Sequence, residues 1–156
     1  MVRKQSRRSD CPINFALQTF GDSWSLLVIR DIVYFGKKTY GEFLASEEGI
    51  ATSILANRLA WLEQNGILVK TPDAADRRKG IYSLTEKGLD LIPILLEIAN
   101  WSAKHDPQSG APSDWIALVN LDKDTITRII RATVREGGSI FVGRNSVLNK
   151  ITGDSE

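Results

Sequence analysis

The sequence predicts a predominantly α chain with a small β wing, a winged helix-turn-helix, and two stretches carry that expectation. Across Thr52–Gln64, Leu55, Leu59 and Leu62 recur at the 3.6-residue period, so the segment reads as a helix with one buried stripe. Its other side, Thr52, Ser53, Ala56, Asn57 and Ala60, is short and uncharged. An ordinary solvated helix surface is rich in Lys and Glu, so this face suits close approach to a partner surface. Downstream, Ile67 to Thr71 and Ile81 to Leu84 read as strands around a turn, Pro72 to Gly80, that carries Arg77, Arg78 and Lys79. Asn65 and Gly66, both tolerant of the left-handed conformation, end the helix before the hairpin.

The remaining elements follow in chain order. Residues 1–10 form a basic arm, with Arg3, Lys4, Arg7 and Arg8 against Asp10. It reads as a solubilising tail or as an arm that touches DNA phosphates. Pro12 suits the first position of a helix to about Phe20, with Phe15 and Ala16 buried and Gly21 closing it. Asp22 or Ser23 caps a second helix from Trp24 to Tyr34, whose Trp24, Leu27, Val28, Ile32 and Phe35, widened by Leu26, Ile29 and Val33, make it the central core helix. Gly36, Lys37 and Lys38 turn the chain, and Thr39 precedes a brief helix anchored by Phe43 and Leu44. With the turn through Glu48, Gly49 and Ile50, this pair of helices constitutes a helix-turn-helix whose second member is the reading helix. Lys37, Lys38 and the N–H groups near Thr39 are then placed to meet phosphate, or are merely solvated.

Thr85 opens what reads as the longest helix, to about Asp106. Leu89, Leu91, Ile92, Ile94, Leu95, Leu96, Ile98, Ala99 and Trp101 leave too few polar positions for a helix with one neighbour, so one side is expected on its own domain and the other, through Leu91, Leu95, Ile98 and Trp101, on a second subunit. Pro93 removes a hydrogen bond and should bend it. Residues 11–106 thus form the predicted DNA-binding and dimerisation domain, and a linker between Pro107 and Pro112 leads into a C-terminal extension, 107–156. There, Trp115 to Leu121 is strand or helix, Asp122 caps a helix to about Glu136, Ser139 to Val142 reads as a strand, and the tail from Gly143 reads as polar and frayed. A ligand pocket, a larger dimer interface and a core cover all remain open as roles for it.

Composition bounds the function. A chain of 156 residues with 42% hydrophobic content buries one core, and its net charge of +1 means that any nucleic-acid affinity depends on where the cations sit. Neither a secretory leader nor a membrane span is legible, so a cytoplasmic protein is expected. Cys11 and His105 are the single cysteine and histidine, which argues against an intramolecular disulfide and a transition-metal site. The sequence offers no nucleophile with a base, no phosphate-cradling glycine loop and no paired catalytic carboxylates, so neither catalytic residues nor a cofactor is expected.

Cys11-Pro12, the run from Gly21 to Arg30, the run from Arg58 to Leu68, and Tyr82 to Gly88 together resemble the HxlR family of bacterial transcriptional regulators, over about residues 8 to 106. The wing alone would equally suit MarR-type regulators. Two positions depart from the family pattern: Ser23, where a basic residue is usual, and Ile81, near which an acidic one is usual. The resemblance implies a homodimer joined through the first and last core helices, adding Phe15 to the interface, and most often a repressor. Each subunit would place its reading helix in a major groove of double-stranded DNA. Thr52, Ser53 and Asn57 are short groups able to reach base edges, whereas Arg58, Lys37, Lys38, Thr39, Arg77, Arg78 and Lys79 suit phosphate. Arg58 has an intramolecular ion pair as its alternative. Some relatives sense oxidants or electrophiles through a cysteine at the position of Cys11, so Cys11 is a candidate sensor of a redox or small-molecule effector, with a packed, inert thiol as the alternative. The competing function is a winged-helix protein-interaction module without sequence-specific DNA binding.

Overall fold

The computed structural model describes residues 6–153, so Arg3 and Lys4 of the basic arm lie outside the described residues. Nine helices and a two-stranded antiparallel sheet are described: α1 Pro12–Phe20, α2 Ser25–Phe35, α3 Tyr40–Leu44, α4 Thr52–Gln64, β1 Leu68–Pro72, β2 Gly80–Leu84, α5 Glu86–Leu89, α6 Ile92–His105, α7 Ser113–Leu121, α8 Lys123–Arg135 and α9 Val147–Thr152. This is the winged helix-turn-helix order, followed by a helical extension.

The core forms around α2, whose Val28, Ile29, Ile32 and Val33 are buried. Asp22 starts this helix, its carboxylate accepting the backbone N–H groups of Trp24 and Ser25 at 3.0 Å each. Leu55, Leu59 and Leu62 bring α4 onto the same core, as their spacing requires. The wing strands pair from Leu68 with Leu84 to Pro72 with Gly80. On the far edge of β2, Tyr82 N–H donates to the Lys38 carbonyl at 2.7 Å, so the segment before α3 is laced to the wing. Thr85, capping α5, accepts Gly88 N–H at 3.1 Å and donates its hydroxyl to the Gly66 carbonyl. Position 88 has to be glycine for a spatial reason: a Cβ there would stand 2.4 Å from the Ile67 carbonyl oxygen.

Several expectations are corrected. The predicted helix from Thr85 to Asp106 is two helices, α5 and α6, broken at Asp90 and Leu91, because Pro93 lies in the first turn of α6 and cannot continue the preceding ladder. Leu91 and Leu95, expected at a subunit interface, are instead only 7% and 8% exposed within this chain's own core. Ile94, Ile98 and Trp101 are the residues left outside. Phe15, expected to be buried, is 51% exposed, since Thr19 is the residue that α1 turns inward and Ala16 is only half-buried.

In the extension, Trp115 to Leu121 is a helix, α7. Ser139 to Val142 is no strand. Its Ile140 and Phe141 N–H groups nevertheless donate to the Val33 and Tyr34 carbonyls at 2.9 and 3.1 Å, tying the segment to the end of α2. The tail from Gly143 is not frayed throughout, for α9 forms there, capped by Ser146 and seated by the buried Val147. Asp122 caps α8 as expected, and Ile126, Ile130 and Val134 join the same hydrophobic core as α2 and α6. Arg131 and Arg135 reach back to α5: Arg131 meets Asp90 at 2.6 Å and Glu86 at 3.1 Å, and Arg135 meets Glu86 at 2.8 Å. The hydrogen bonds from Arg135 and then Arg131 hold the Glu86 carboxyl down at about 2.

Candidate nucleic-acid interface

Helix α4 turns Thr52, Ser53, Ala56 and Asn57 to solvent, so the face that the sequence singled out is an exposed one. The start of α4 is fixed from α3, where Tyr40 donates its hydroxyl to the Thr52 carbonyl at 3.0 Å. Its end is fixed from α1, where the Thr19 carbonyl accepts the Trp61 indole N–H at 2.7 Å. The helix is therefore held at both ends, and its outer face carries no bulky charged residue before Arg58.

The turn between α3 and α4 is clamped to α2 by a charged cluster. The Asp31 carboxylate, 3% exposed, accepts Arg30 at 2.8 and 3.1 Å, accepts the Ser46 hydroxyl, and lies 3.6 Å from the Lys37 ammonium. Arg30 also grips Glu48 with both terminal nitrogens, one of them at 3.0 Å. That grip holds the Glu48 carboxyl down at about 2 and raises the guanidinium's own affinity for its proton. A buried carboxylate is tolerable only when compensated in this way. The cluster sets the angle between α2 and the turn, and hence where α4 projects. Sequence reading treated α2 as packing alone and missed Arg30, Asp31 and Glu48; the signal was an Arg-Asp pair inside an otherwise apolar helix.

The predicted cations divide. Lys37 is engaged internally in this structure, donating to Ser46 at 2.7 Å beside Asp31. Arg58 lies 3.4 Å from Asp22, donates to the Asn57 side-chain carbonyl at 2.6 Å, and stacks 5.6 Å from the Trp61 ring centre, so the intramolecular alternative holds in this structure. Thr39 caps α3 by accepting Glu42 N–H at 3.3 Å and donates its hydroxyl to the Glu42 carboxylate at 2.9 Å. Lys38 turns toward Gly137 of the extension. Arg78 lies 3.1 Å from Asp76 at the wing tip, while Arg77 and Lys79 extend there as exposed cations with no ion pair among the described residues.

Two further predicted residues are exposed. Cys11, the residue before α1, is a free thiol open to solvent in the single chain, so it is not packed there. On α6, Pro93, Ile94, Glu97, Ile98 and Trp101 line an open, mostly apolar depression, and Ile13, Phe15 and Leu17 of α1 are likewise exposed. No helix among the described residues is long and apolar enough to cross a membrane.

An exposed face of small residues on α4, a cationic hairpin and a short helix fixed ahead of them make up a winged helix-turn-helix, and residues 19–109 match the family described as HxlR-like helix-turn-helix. The chain belongs to this family. Among relatives of the HxlR-like chain, an uncharacterized HTH-type transcriptional regulator of Mycobacterium tuberculosis, Rv3095, is 32% identical over 97 residues, which are 62% of this chain and 60% of the relative. The match thus spans about 60% of that relative's length. Among solved structures, PA1607, a candidate transcription factor, aligns with a TM-score of 0.61 at 34% identity, covering 67% of this chain and 73% of that one. The oxidized form of HypR, named a redox regulator, aligns with a TM-score of 0.53 at 28% identity, covering 61% and 97%. Helices α7 to α9 lie beyond the matched family region.

Proposed function

We propose that this HxlR-like protein is a cytoplasmic, homodimeric, sequence-specific DNA-binding transcriptional regulator, acting as a repressor. The observation that carries the reading is the exposed, small, uncharged outer face of α4, held rigidly at both ends beside an exposed cationic wing. Thr52, Ser53 and Asn57 read base edges in the major groove; the Asn57 amide, whose carbonyl now accepts from Arg58, turns to adenine when Arg58 moves to phosphate. Arg77, Arg78 and Lys79 meet the backbone beyond the groove, positioning without reading sequence. The regulator names of the relatives support the reading.

The second copy meets the α1 and α6 faces, where Phe15, Ile98 and Trp101 are exposed in the single chain. A two-fold dimer calls for a roughly palindromic operator with half-sites about 34 to 36 Å apart, or a multiple of that. Cys11, exposed at the mouth of α1 four residues before Phe15, is the oxidant-responsive group, a role supported by the name of HypR. With one thiol per chain the chemistry is an inter-subunit disulfide, a mixed disulfide or an adduct.

Selection of bound duplexes from a random pool tests the proposal. The expected result is enrichment of an inverted repeat whose binding falls steeply with salt. Recovery of no sequence at low salt would refute it. Repetition with oxidised protein and with Cys11→Ser tests the thiol, and an oxidant response that persists in Cys11→Ser would dismiss that role.

A further inference from the structure

The extension builds a polar cleft that the DNA-reading geometry does not use. Its volume is about 330 Å³, and its walls include Thr133, Gly137, Gly138, Arg144, Asn145 and Lys150. That size falls within the usual range for small-molecule sites, roughly 300 to 1,000 Å³. Two of the wall residues are cations, and a third cation approaches from the other end of the fold: the Lys38 ammonium stands 3.2 Å from where a Cβ on Gly137 would be. Glu136, exposed at the rim, is the opposing charge. Two lysines and one arginine against one glutamate leave the cleft cationic.

The cleft is built rather than incidental. Gly137, at φ +89°, takes a left-handed turn that admits Lys38, and Gly138 sits where a Cβ would lie 2.8 Å from the Thr133 methyl. Lys150 is oriented by donating to the Thr133 hydroxyl at 2.9 Å, while Arg144 has no ion pair among the described residues. The segment that follows Gly138 is tied to α2 where Ile140 N–H donates to the Val33 carbonyl, and Lys38 immediately precedes Thr39, the cap of α3.

We infer that this cleft binds a small oxyanion-bearing molecule, a phosphate monoester or a carboxylate, held by Lys38, Arg144 and Lys150. Arg144 suits a two-oxygen grip, and the two ammonium groups act as point charges on either side. Resting on the proposed DNA-binding reading, the site is an effector site: an anion there holds Lys38 against the extension, where its ammonium already stands, and keeps it from the operator face.

Calorimetric titration of the full chain, without DNA, tests the site separately from the DNA reading. Inorganic phosphate, glycerol 3-phosphate and citrate are the probes, with sodium chloride at matched ionic strength as control. The expected result is saturable binding of at least one probe, weakened about tenfold or more in Arg144→Gln and in Lys38→Gln. The two kinds of anion distinguish a phosphate from a carboxylate ligand. Arg144 is exposed, so Arg144→Gln leaves the fold intact, checked by an unchanged unfolding midpoint; Lys150→Gln, which also loses the bond to Thr133, is the second variant. No saturable heat with any probe would overturn the inference, as would equal affinity in wild type and variants.

Discussion

Trp101→Ala separates association from folding. In the single chain Trp101 is 67% exposed and stands beside the aromatic ring of His105 of the same helix, 5.0 Å away between ring centres. A tryptophan presents at most about 250 Å², so roughly 150 Å² of it is left for a partner to cover. At about 25 cal/mol per Å², covering that area contributes up to about 4 kcal/mol per protomer. Incomplete coverage and the costs of association reduce it to about 2 kcal/mol, the scale of an interface hot spot. Because two-fold symmetry repeats each contact, truncation should cost about 4 kcal/mol in all, or roughly a thousandfold in the dimer constant. Sedimentation equilibrium measures that constant, with the far-ultraviolet circular dichroism of the variant expected to match wild type. Leu95→Ala is the control: buried at 8% exposure, it should lower fold stability by about 2 to 5 kcal/mol. A wild type that sediments as a monomer, or a Trp101→Ala dimer constant equal to wild type, would refute the reasoning.

Three other outcomes are expected. Arg77→Gln combined with Lys79→Gln should weaken binding about equally to every duplex and lower the salt slope by about 1 for each phosphate no longer neutralised, read by fluorescence anisotropy across a salt series. Tyr34 has a buried hydroxyl with no hydrogen-bond partner among the described residues, and burial pushes its phenol up to about 12. Tyr34→Phe should therefore leave stability unchanged or raise it by about 1 kcal/mol; as the folded value lies above the ordinary 10.0, wild type should lose stability relative to the variant as pH rises from 10.0 through about 12, seen in urea titrations. For Glu48 the sign is opposite. Its carboxyl is held at about 2 against an ordinary 4.5, so its stabilising contribution is present above 4.5 and lost as pH falls through about 2. With the side chain 35% exposed, solvent screening limits that contribution to about 1 kcal/mol, and the stability gap between wild type and Glu48→Gln should close over that acid window.

The contrast between the two halves of the chain shows which features a sequence discloses. Helix α4 was legible to its end residues because its leucines repeat with one period and Asn65 and Gly66 follow it. The wing was legible because β-branched runs flank a turn of Pro, Asp, Ala and cations. Harder to read was α6, apolar nearly all round: periodicity cannot choose which side faces inward when both are hydrophobic, and Pro93 shifted the phase by breaking the helix. Ser139 to Val142 misled for a related reason. A short apolar run has strand chemistry, but here its N–H groups meet the carbonyls at the end of α2, a partner that no local pattern announces. The pairing of Lys37 with Asp31 and of Arg58 with Asp22 is likewise a tertiary fact that no local pattern announces.

The extension is tied to the winged half of the chain at three places. It joins α2 at two backbone hydrogen bonds, places Ile126, Ile130 and Val134 in the common core, and holds α5 through the Arg131 and Arg135 ion pairs. Helix α5 in turn carries Thr85 and Gly88 against Gly66 and Ile67, the junction of α4 with the wing. The exposed ion pairs are individually weak, but the core packing behind them is not. A displacement of α8 therefore cannot stay local: it has to move α5 and with it the base of the wing, or shift the end of α2 and with it Lys38. Both routes end at groups beside the α4 face. The turn ahead of α4 is held at Asp31 and the end of α4 at Trp61, so such a movement reaches the base of the wing and Lys38 before it reaches the outer face of α4.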